Sequence, residues 1–311
     1  MMNSEQSNCT RMNQSQSLIK IGLLSLCFLL FVTACVDQQP TKKTAIWPVS
    51  SYNFGGMQEM TVEEQIALLR LSGYDGLILR VATPANFQVL PDFLAEADKY
   101  DDFKVHAAFV RYNFDDTAMR ERWVEVVDQI ANKEVQLWVI FGKKVDGYDE
   151  VFIEKKLREI NSYSIERGVE VILYPHSSTY YESVEEALPM VDRINSLNLQ
   201  TAVHLYHEIR AGNGHRMHEV IRNASGKLGA LTLAGADSVA DYSSPLARDT
   251  STIKPLGRGT FDVKGFVETL NQVEYQGVIG VMNFSIKEDP TIYLPRSKEI
   301  LDDYLQKNKN N

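Results

Sequence analysis

Three histidines follow two of the β-rich segments of the sequence, at the points where those segments end. His176 follows the run VILYP, while His204 and His207 lie in AVHLYHE. Imidazole titrates near neutral pH, so a histidine side chain can remove a proton, deliver a proton or bind a metal ion. We therefore predict that these three residues are catalytic, with His176 and His204 as the candidates for proton transfer. The alternative is that one or two of them are structural histidines held by hydrogen bonds.

The same pattern leaves a metal site open. Three imidazoles could bind a borderline ion such as zinc, so His176, His204 and His207 are also the potential ligands if a metal binds. Without a metal, two imidazoles with pKa values near 6.5 would be partly protonated near pH 7 and could supply both a base and an acid. Glu208, which follows directly in the sequence, is a candidate for stabilising one of them as imidazolium. The sequence does not decide whether any cofactor binds.

Other polar and aromatic residues end the β-rich segments and are secondary candidates for binding a substrate. Arg80 closes LILR and Arg111 follows FV in FVRYN, while Tyr174 and Asn283 lie at the ends of two later segments. Cations at such positions can hold an anionic or a polyhydroxyl ligand, although a surface salt bridge is the alternative for each arginine. Tyr52 is a further candidate for the same lining.

A glycine-rich loop, PLGRGTFD, opens a predicted helix at Asp262 and contains Arg258. Loops of this kind before a helix N-terminus often hold phosphate, which makes Arg258 a candidate for substrate binding. A tight turn followed by an N-cap at Asp262 is the simpler interpretation.

Three further histidines are weaker candidates. His106 lies within a β-rich segment, KVHAAF, and is predicted to pack inside the fold with a hydrogen bond. His215 and His218 lie in GHRMHE, one turn apart on a predicted surface helix, where a solvated face is the expected role.

Short apolar runs alternate with amphipathic helical patterns along the whole chain after residue 44. The predicted strands are Ala45–Val49, Gly76–Val81, Lys104–Val110, Val135–Phe141, Val169–Tyr174, Thr201–His204, Ala230–Leu233 and Val278–Asn283. Eight strands, each followed by a helix, predict a parallel sheet closed into a single (β/α)8 TIM barrel. An open, doubly wound sheet is the alternative.

Some helix ends are readable from capping patterns. TVEE from Thr61 and SVEE from Ser183 are capping boxes that predict two helix starts. The pattern also predicts helices over Leu90–Tyr100, over residues 116–131 after Asp115, and over Pro295–Gln306.

The N-terminus resembles the signal peptide of a bacterial lipoprotein. An apolar run over Ile21–Val32 is too short to span a membrane and is followed by Thr33, Ala34 and Cys35, which resemble a lipobox. We therefore predict a signal peptide over residues 1–34, a lipidated Cys35 with a polar tether to residue 43, and the barrel over 44–311. An ordinary signal peptide with an incidental cysteine is the alternative.

This arrangement predicts a protein of the cell envelope, attached to a membrane through the lipid at Cys35 and facing away from the cytoplasm, either the periplasm or the surface. No cysteine follows Cys35, so the predicted mature chain of 277 residues (311 − 34) contains no disulfide and, apart from the lipidated Cys35, no thiol. The net charge of −9 and the lack of a Lys/Arg cluster argue against a nucleic-acid partner. The oligomeric state is left open.

Several phrases of the chain, in this order, resemble the sugar phosphate isomerase/epimerase family, whose members are xylose isomerase-like TIM barrels. The resemblance runs from about Met60 to the C-terminus and rests on MTVEEQIALLRLSGYDG, VILYPHSSTYYESVEEALPMVDRINSLNL, HLYHE, PLGRGTFDV and VEYQGVIGVMNFSIKEDPTIYLPRSKEIL. The resemblance implies a barrel with its site at the C-terminal ends of the strands.

Members of that family hold a divalent metal with Glu, Asp, His and Glu at the ends of strands five to eight. These positions fall on Tyr174, His204, Thr232 and Met282 in this chain, so none of the four ligands is present. A further family histidine, which positions the sugar oxygens, falls on His207. The resemblance thus implies a divergent branch in which His207 holds and polarises a sugar.

The implied function is a sugar isomerase or epimerase that acts on a carbohydrate or keto-sugar by proton transfer α to a carbonyl. Two alternatives remain open: a lyase or hydrolase of keto-glycosides, which suits an exported location, and a non-catalytic sugar-binding lipoprotein, which the four missing ligands favour. In each case the expected partner is a small-molecule carbohydrate.

Overall fold

The computed structural model describes residues 47–307, which form a closed barrel of eight parallel strands. The strands are β1 Val49–Tyr52, β2 Gly76–Arg80, β3 Lys104–Tyr112, β4 Gln136–Phe141, β5 Val171–Leu173, β6 Leu199–His204, β7 Leu228–Leu233 and β8 Val278–Val281. Each strand pairs with the next, and β1 also pairs with β8, where Val49 lies opposite Ile279 and Ser51 opposite Val281. The sheet therefore has no free edge, which confirms the predicted (β/α)8 barrel and excludes the open sheet.

Helices cover the outside of the barrel and return the chain to the start of the next strand. They are α1 Val62–Leu71, α2 Pro84–Ala97, α3 Trp123–Ile130, α4 Glu150–Ile165, α5 Val184–Ile194, α6 Leu205–Arg210, α7 Met217–Ala224, α8 Pro245–Thr252, α9 Val263–Gln272 and α10 Pro290–Lys307. Both predicted capping boxes begin helices: Thr61 accepts a hydrogen bond from Glu64 N, and Ser183 accepts one from Glu186 N. Within residues 47–307, no helix is long and apolar enough to cross a membrane.

Strand β1 differs from its prediction. The strand runs over Val49–Tyr52 instead of ending at Val49, and the first two residues of the predicted segment lie outside the described part of the chain. Pro48 has no N–H for a sheet ladder, so the strand begins after it. Ser50 and Ser51 are polar but fully buried, and both hydroxyls have partners there: Ser50 Oγ lies 2.6 Å from His106 Nδ1, and Ser51 donates to Tyr52 O at 3.0 Å.

Three helix boundaries also differ. Helix α2 begins at Pro84 rather than at residue 90, because Thr83 caps it and proline suits the first helical turn. Helix α3 begins only at Trp123; residues 115–122 form turns, and Asp116 rather than Asp115 accepts a hydrogen bond there, from Met119 N. Helix α10 begins at Pro290 rather than at the predicted Pro295.

Aromatic side chains fill the interior of the barrel below its C-terminal mouth. The ring of Trp138 lies edge-on to Tyr52 at 6.3 Å and to Tyr174 at 5.2 Å, and Tyr174 contacts Phe109 at 6.1 Å between centroids. A Cβ added at Gly280 would lie 3.1 Å from Cε2 of Tyr52, so glycine there makes room for that ring. This layer forms a rigid floor for the groups at the mouth.

Candidate active site

A cavity of about 220 Å³ opens at the C-terminal ends of the strands. Its walls are aromatic, aliphatic and basic, and they consist of Phe54, Arg80, Ala82, Phe109, Arg111, Ile140, Tyr174, His176, Tyr206, His207, Ile253, Met282 and Phe284. Five of the predicted site residues lie among them: Arg80, Arg111, Tyr174, His176 and His207. The cavity has the size of a small-molecule site rather than a polymer groove.

His176 lies in the loop after β5, and its hydrogen bonds define which ring nitrogen carries the proton. The backbone N–H of His176 bonds to Tyr181 O at 2.9 Å, which closes the loop. Its Nδ1 lies 2.9 Å from the carbonyl oxygen of Ser177. The same Nδ1 lies 3.5 Å from Arg111 Nη2, which can only donate, whereas the carbonyl can only accept. The contact to the carbonyl is the shorter of the two, 2.9 Å against 3.5 Å, so we assign the proton to Nδ1, which leaves Nε2 of the neutral ring unprotonated. That nitrogen is a free base at the cavity wall.

His207 lies in α6 and has the opposite arrangement. The backbone N–H of Ser177 donates to His207 Nδ1 at 3.2 Å, and the Ser177 hydroxyl lies 2.8 Å from the same atom. Because the backbone N–H can only donate, Nδ1 is the acceptor and the proton of the neutral ring is on Nε2. His207 therefore offers an N–H donor to the cavity.

One residue, Ser177, thus fixes both rings in complementary states. The ring centroids of His176 and His207 are 4.0 Å apart, so a base and a donor lie side by side at the mouth. A substrate oxygen on the donor and a neighbouring C–H on the base would fit this pair.

His204 lies behind the other two histidines, at the end of β6. Its Nδ1 accepts a hydrogen bond from Tyr206 N at 3.2 Å, which places the proton on Nε2. That Nε2 is buried and has no hydrogen-bond partner within residues 47–307. The ring packs against His207 at 4.2 Å and does not line the cavity, so the structure joins the three histidines in one cluster but exposes only two to a ligand.

Burial keeps all three rings neutral. Desolvation, then the Arg111 guanidinium, lowers the pKa of His176 to about 4. Desolvation, then the neighbouring His176, lowers the pKa of His204 and of His207 well below the usual value. The sequence predicts one neutral and one charged imidazole. In the structure the rings are neutral, and His176 and His207 differ in which ring nitrogen carries the proton.

Within the described residues, the side chain of Glu208 forms no hydrogen bond or ion pair with these histidines. Its carboxylate accepts hydrogen bonds from Val184 N at 2.7 Å and from Asn213 Nδ2 at 2.6 Å, and thereby caps α5. Burial raises its pKa to about 7.

The positions where the family holds its metal do not provide a metal site in this chain. The Tyr52 hydroxyl lies 2.8 Å from Thr232 Oγ1 and 3.2 Å from the Tyr174 hydroxyl. These three neutral hydroxyls therefore hydrogen-bond to one another. Burial raises the pKa of both tyrosines, so neither is an anionic ligand at neutral pH. Proteins hold divalent cations mainly with carboxylates, thiolates and unprotonated imidazole nitrogens, and Tyr174, Thr232 and Met282 offer none of these. His204, at the remaining position, uses its unprotonated Nδ1 to accept from Tyr206 N.

The three histidines do not replace that site. The Nδ1 atom of each forms a hydrogen bond, and the Nε2 atoms of His204 and His207 carry protons. Within the described residues, no group of three or more His, Cys, Asp or Glu side chains is placed to hold a metal ion.

Three predicted binding residues lie outside the cavity: Tyr52, which is fully buried below it, Asn283 and Arg258. Asn283 is fully buried, donates to Tyr52 O at 2.8 Å and accepts from Phe54 N at 3.3 Å, so it ties the end of β8 to β1. Arg258 forms an ion pair with Glu288, with Nη2 2.9 Å from Oε2. Asp262 accepts from Gly265 N at 2.9 Å and caps α9, as the simpler interpretation of that loop requires.

The remaining histidines also lie away from the mouth. His106 Nδ1 is 2.6 Å from the Ser50 hydroxyl inside the barrel, and burial lowers its pKa to about 4. His215 and His218 are exposed; they contact Gly212 O and the Thr269 hydroxyl respectively.

Sequence reasoning missed Ser177 and most of the apolar wall. Ser177 directly follows His176 in the sequence, which is the one signal that could have indicated it, because serine commonly bonds to nearby groups. Its bond to His207 joins residues 30 positions apart and depends on the closed barrel.

Comparison with known proteins places this geometry in a family. The sequence profile of the xylose isomerase-like TIM barrel family matches residues 66–302. The chain belongs to this family. A comparison with curated protein sequences gives no match.

Solved structures with the same fold include sugar epimerases. The 3-keto-D-glucoside 4-epimerase from E. coli superposes with a TM-score of 0.63 at 15% identity, over 83% of this chain and 100% of that one. The D-allulose 3-epimerase from Methylomonas sp. gives 0.63 at 14% identity, over 84% and 98%. The IOLI protein, solved with a bound zinc atom, gives 0.66 at 16% identity, over 84% and 98%. At these identities the likeness shows the (β/α)8 barrel fold alone.

Proposed function

We propose that this family member is a sugar isomerase or epimerase that acts on a carbohydrate or keto-sugar by proton transfer α to a carbonyl. The observation that carries the proposal is the hydrogen bonding of two cavity-lining rings whose centroids are 4.0 Å apart: it leaves Nε2 of His176 unprotonated and places a proton on Nε2 of His207. Sugar epimerases with the same fold support the substrate class.

The chemistry follows from these two groups. The His207 N–H binds the carbonyl oxygen of the sugar, and His176 Nε2 removes the proton from the adjacent carbon. The electrons of the broken C–H bond form a C=C bond, while the oxygen gains negative charge that the His207 N–H stabilises. The imidazolium of His176 then returns its proton to a carbon of the enediolate, which regenerates the base.

The number of bases bears on the product. Inversion at one carbon by two opposed bases requires a second free imidazole, yet His204 and His207 both carry a proton on Nε2. One base suits transfer between neighbouring carbons on the same face. It also suits elimination, so a keto-glycoside lyase is the second candidate. Product analysis by NMR separates an isomer from a released aglycone, and the absence of any product would favour a binding protein.

The lowered pKa of His176 predicts an unusual pH profile. The base is active when neutral, so kcat/KM should stay constant from neutral pH down to about 5 and fall as the pH drops through about 4. An ordinary histidine would lose its activity near 6.5. Initial rates at each pH, with folding checked by circular dichroism, measure this limb. A limb near 6.5 in a fully folded enzyme would contradict the assignment of His176 as the buried base.

We also propose that the protein is a lipoprotein of the cell envelope, anchored through Cys35, which lies outside the described residues. A Cys35→Ala variant should leave the membrane fraction or accumulate unprocessed, because no other side chain of the lipobox can form the thioether. Cys27→Ala, within the apolar run, is the matched control and should fractionate as wild type. Normal processing and membrane association of Cys35→Ala would refute the anchor.

A further inference from the structure

Two arginines at the cavity have no acidic partner. Arg80 ends β2 and Arg111 lies near the end of β3, and both line the cavity beside His176. Neither forms an ion pair with any carboxylate within residues 47–307, and no Asp or Glu lines the cavity. Arg258, by contrast, is neutralised by Glu288 outside it. The cavity is therefore locally cationic in a chain whose net charge is −9.

Arg111 is half-buried without a counter-charge. Burial, then the charge of Arg80, lowers the pKa of its guanidinium, so the two cations repel each other across a common space. Within residues 47–307 its guanidinium has one polar side-chain contact, with Nη2 3.5 Å from His176 Nδ1, and because that atom donates to Ser177 O the contact does not satisfy the cation. A desolvated cation in this state gains most from an anion, and a guanidinium binds carboxylate or phosphate through paired N–H groups.

We infer that the substrate of this site is an anionic sugar, whose acidic group binds between Arg80 and Arg111. This inference rests on the proposed function for the remainder of the substrate: the carbonyl lies at His207 and the reacting carbon at His176. The aromatic rings of Phe54, Phe109 and Phe284 face the apolar side of the sugar. The bound anion also offsets the cationic field that weakens His176 as a base.

Titration calorimetry tests the inference without requiring turnover. D-glucuronate and D-fructuronate are compared with D-glucose and D-fructose, and glucose 6-phosphate distinguishes a phosphate from a carboxylate as the acidic group. We expect an anionic sugar to bind at least about tenfold more tightly than its neutral counterpart. Arg80→Gln and Arg111→Gln should each weaken that binding by about 10- to 100-fold, while Arg80→Lys retains part of it.

The controls separate this inference from the proposed function. Arg258→Gln should bind the anionic sugar as wild type, and melting temperatures exclude unfolding of either cavity variant. His176→Gln should still bind the anionic sugar, because His176 removes a proton and does not hold the acidic group. If the wild-type protein binds a sugar acid but never converts it, the proposed catalysis alone is refuted. Equal affinity for neutral and anionic sugars, or unchanged anion binding in the folded Arg80→Gln and Arg111→Gln variants, would overturn the anionic-sugar inference alone.

Discussion

Replacing His176 with glutamine is expected to lower kcat by about 10²- to 10⁴-fold, because the variant keeps a side chain of similar shape but has no basic nitrogen. The amide can still donate to Ser177 O, as His176 Nδ1 does at 2.9 Å. Substrate affinity and melting temperature should therefore stay near the wild-type values. Steady-state kinetics, calorimetry and thermal melting on one preparation measure the three effects separately.

The matched control is His215→Gln. His215 is exposed and contacts Gly212 O, so its loss should leave both kcat and stability unchanged. If His176→Gln turned over a verified substrate at the wild-type rate, the assignment of the base would be wrong. A variant that lost stability to the same degree as activity would instead make His176 a residue that holds its loop.

Replacing His207 tests the donor, and two substitutions divide its roles. His207→Leu removes the N–H that stabilises the developing oxyanion and should lower kcat by about 10²- to 10³-fold. It also leaves the buried N–H and hydroxyl of Ser177 without their acceptor, at a cost of about 1–3 kcal/mol in the free energy of unfolding. His207→Gln supplies both an acceptor oxygen and an N–H, so it should lose less of both.

The contrast between the two histidines is the informative part. Glutamine should rescue position 207 partly and position 176 not at all, because a donor needs an N–H whereas a base needs a lone pair that titrates. Equal loss of kcat in His207→Gln and His207→Leu would contradict a donor role. A general acid or base at His207 would produce that result.

The barrel was predictable because its signals are local and repeated. Apolar runs covered on both faces, two capping boxes and strict alternation of strand and helix each follow from short stretches of sequence. The start of α2 was missed although its signals, Thr83 and Pro84, are local, whereas the extension of β1 over Ser50 and Ser51 depends on tertiary contacts that bury both residues. Nothing in their residue types favours a sheet interior.

The sequence predicted which residues lie at the candidate site better than it predicted the role of each one. The rule that strand ends meet at the barrel mouth identified His176, His207, Arg80 and Arg111. It could not separate His204, which occupies a strand end but lies behind His207. The rule also could not predict the tautomers of His176 and His207, because each depends on a hydrogen bond to Ser177 that exists only in the folded chain.

The same limit applied to the charged partners. Arg258 and Arg111 are both cations beside predicted elements, and the sequence offers no way to know that Glu288 neutralises only the former. Likewise Asn283 ends a strand as a lining residue would, yet its amide is used by Tyr52 and Phe54.

Proton exchange in D₂O tests the central claim most directly. The protein is treated with EDTA, incubated with a panel of ketoses and keto-sugar acids, and the carbon-bound protons next to the carbonyl are followed by NMR. Our account predicts deuterium incorporation at one such position, unaffected by chelator or added Mn²⁺ or Zn²⁺, and lost in His176→Gln. Exchange that EDTA abolishes and a divalent metal restores, or that persists in His176→Gln, would contradict proton transfer by this histidine pair.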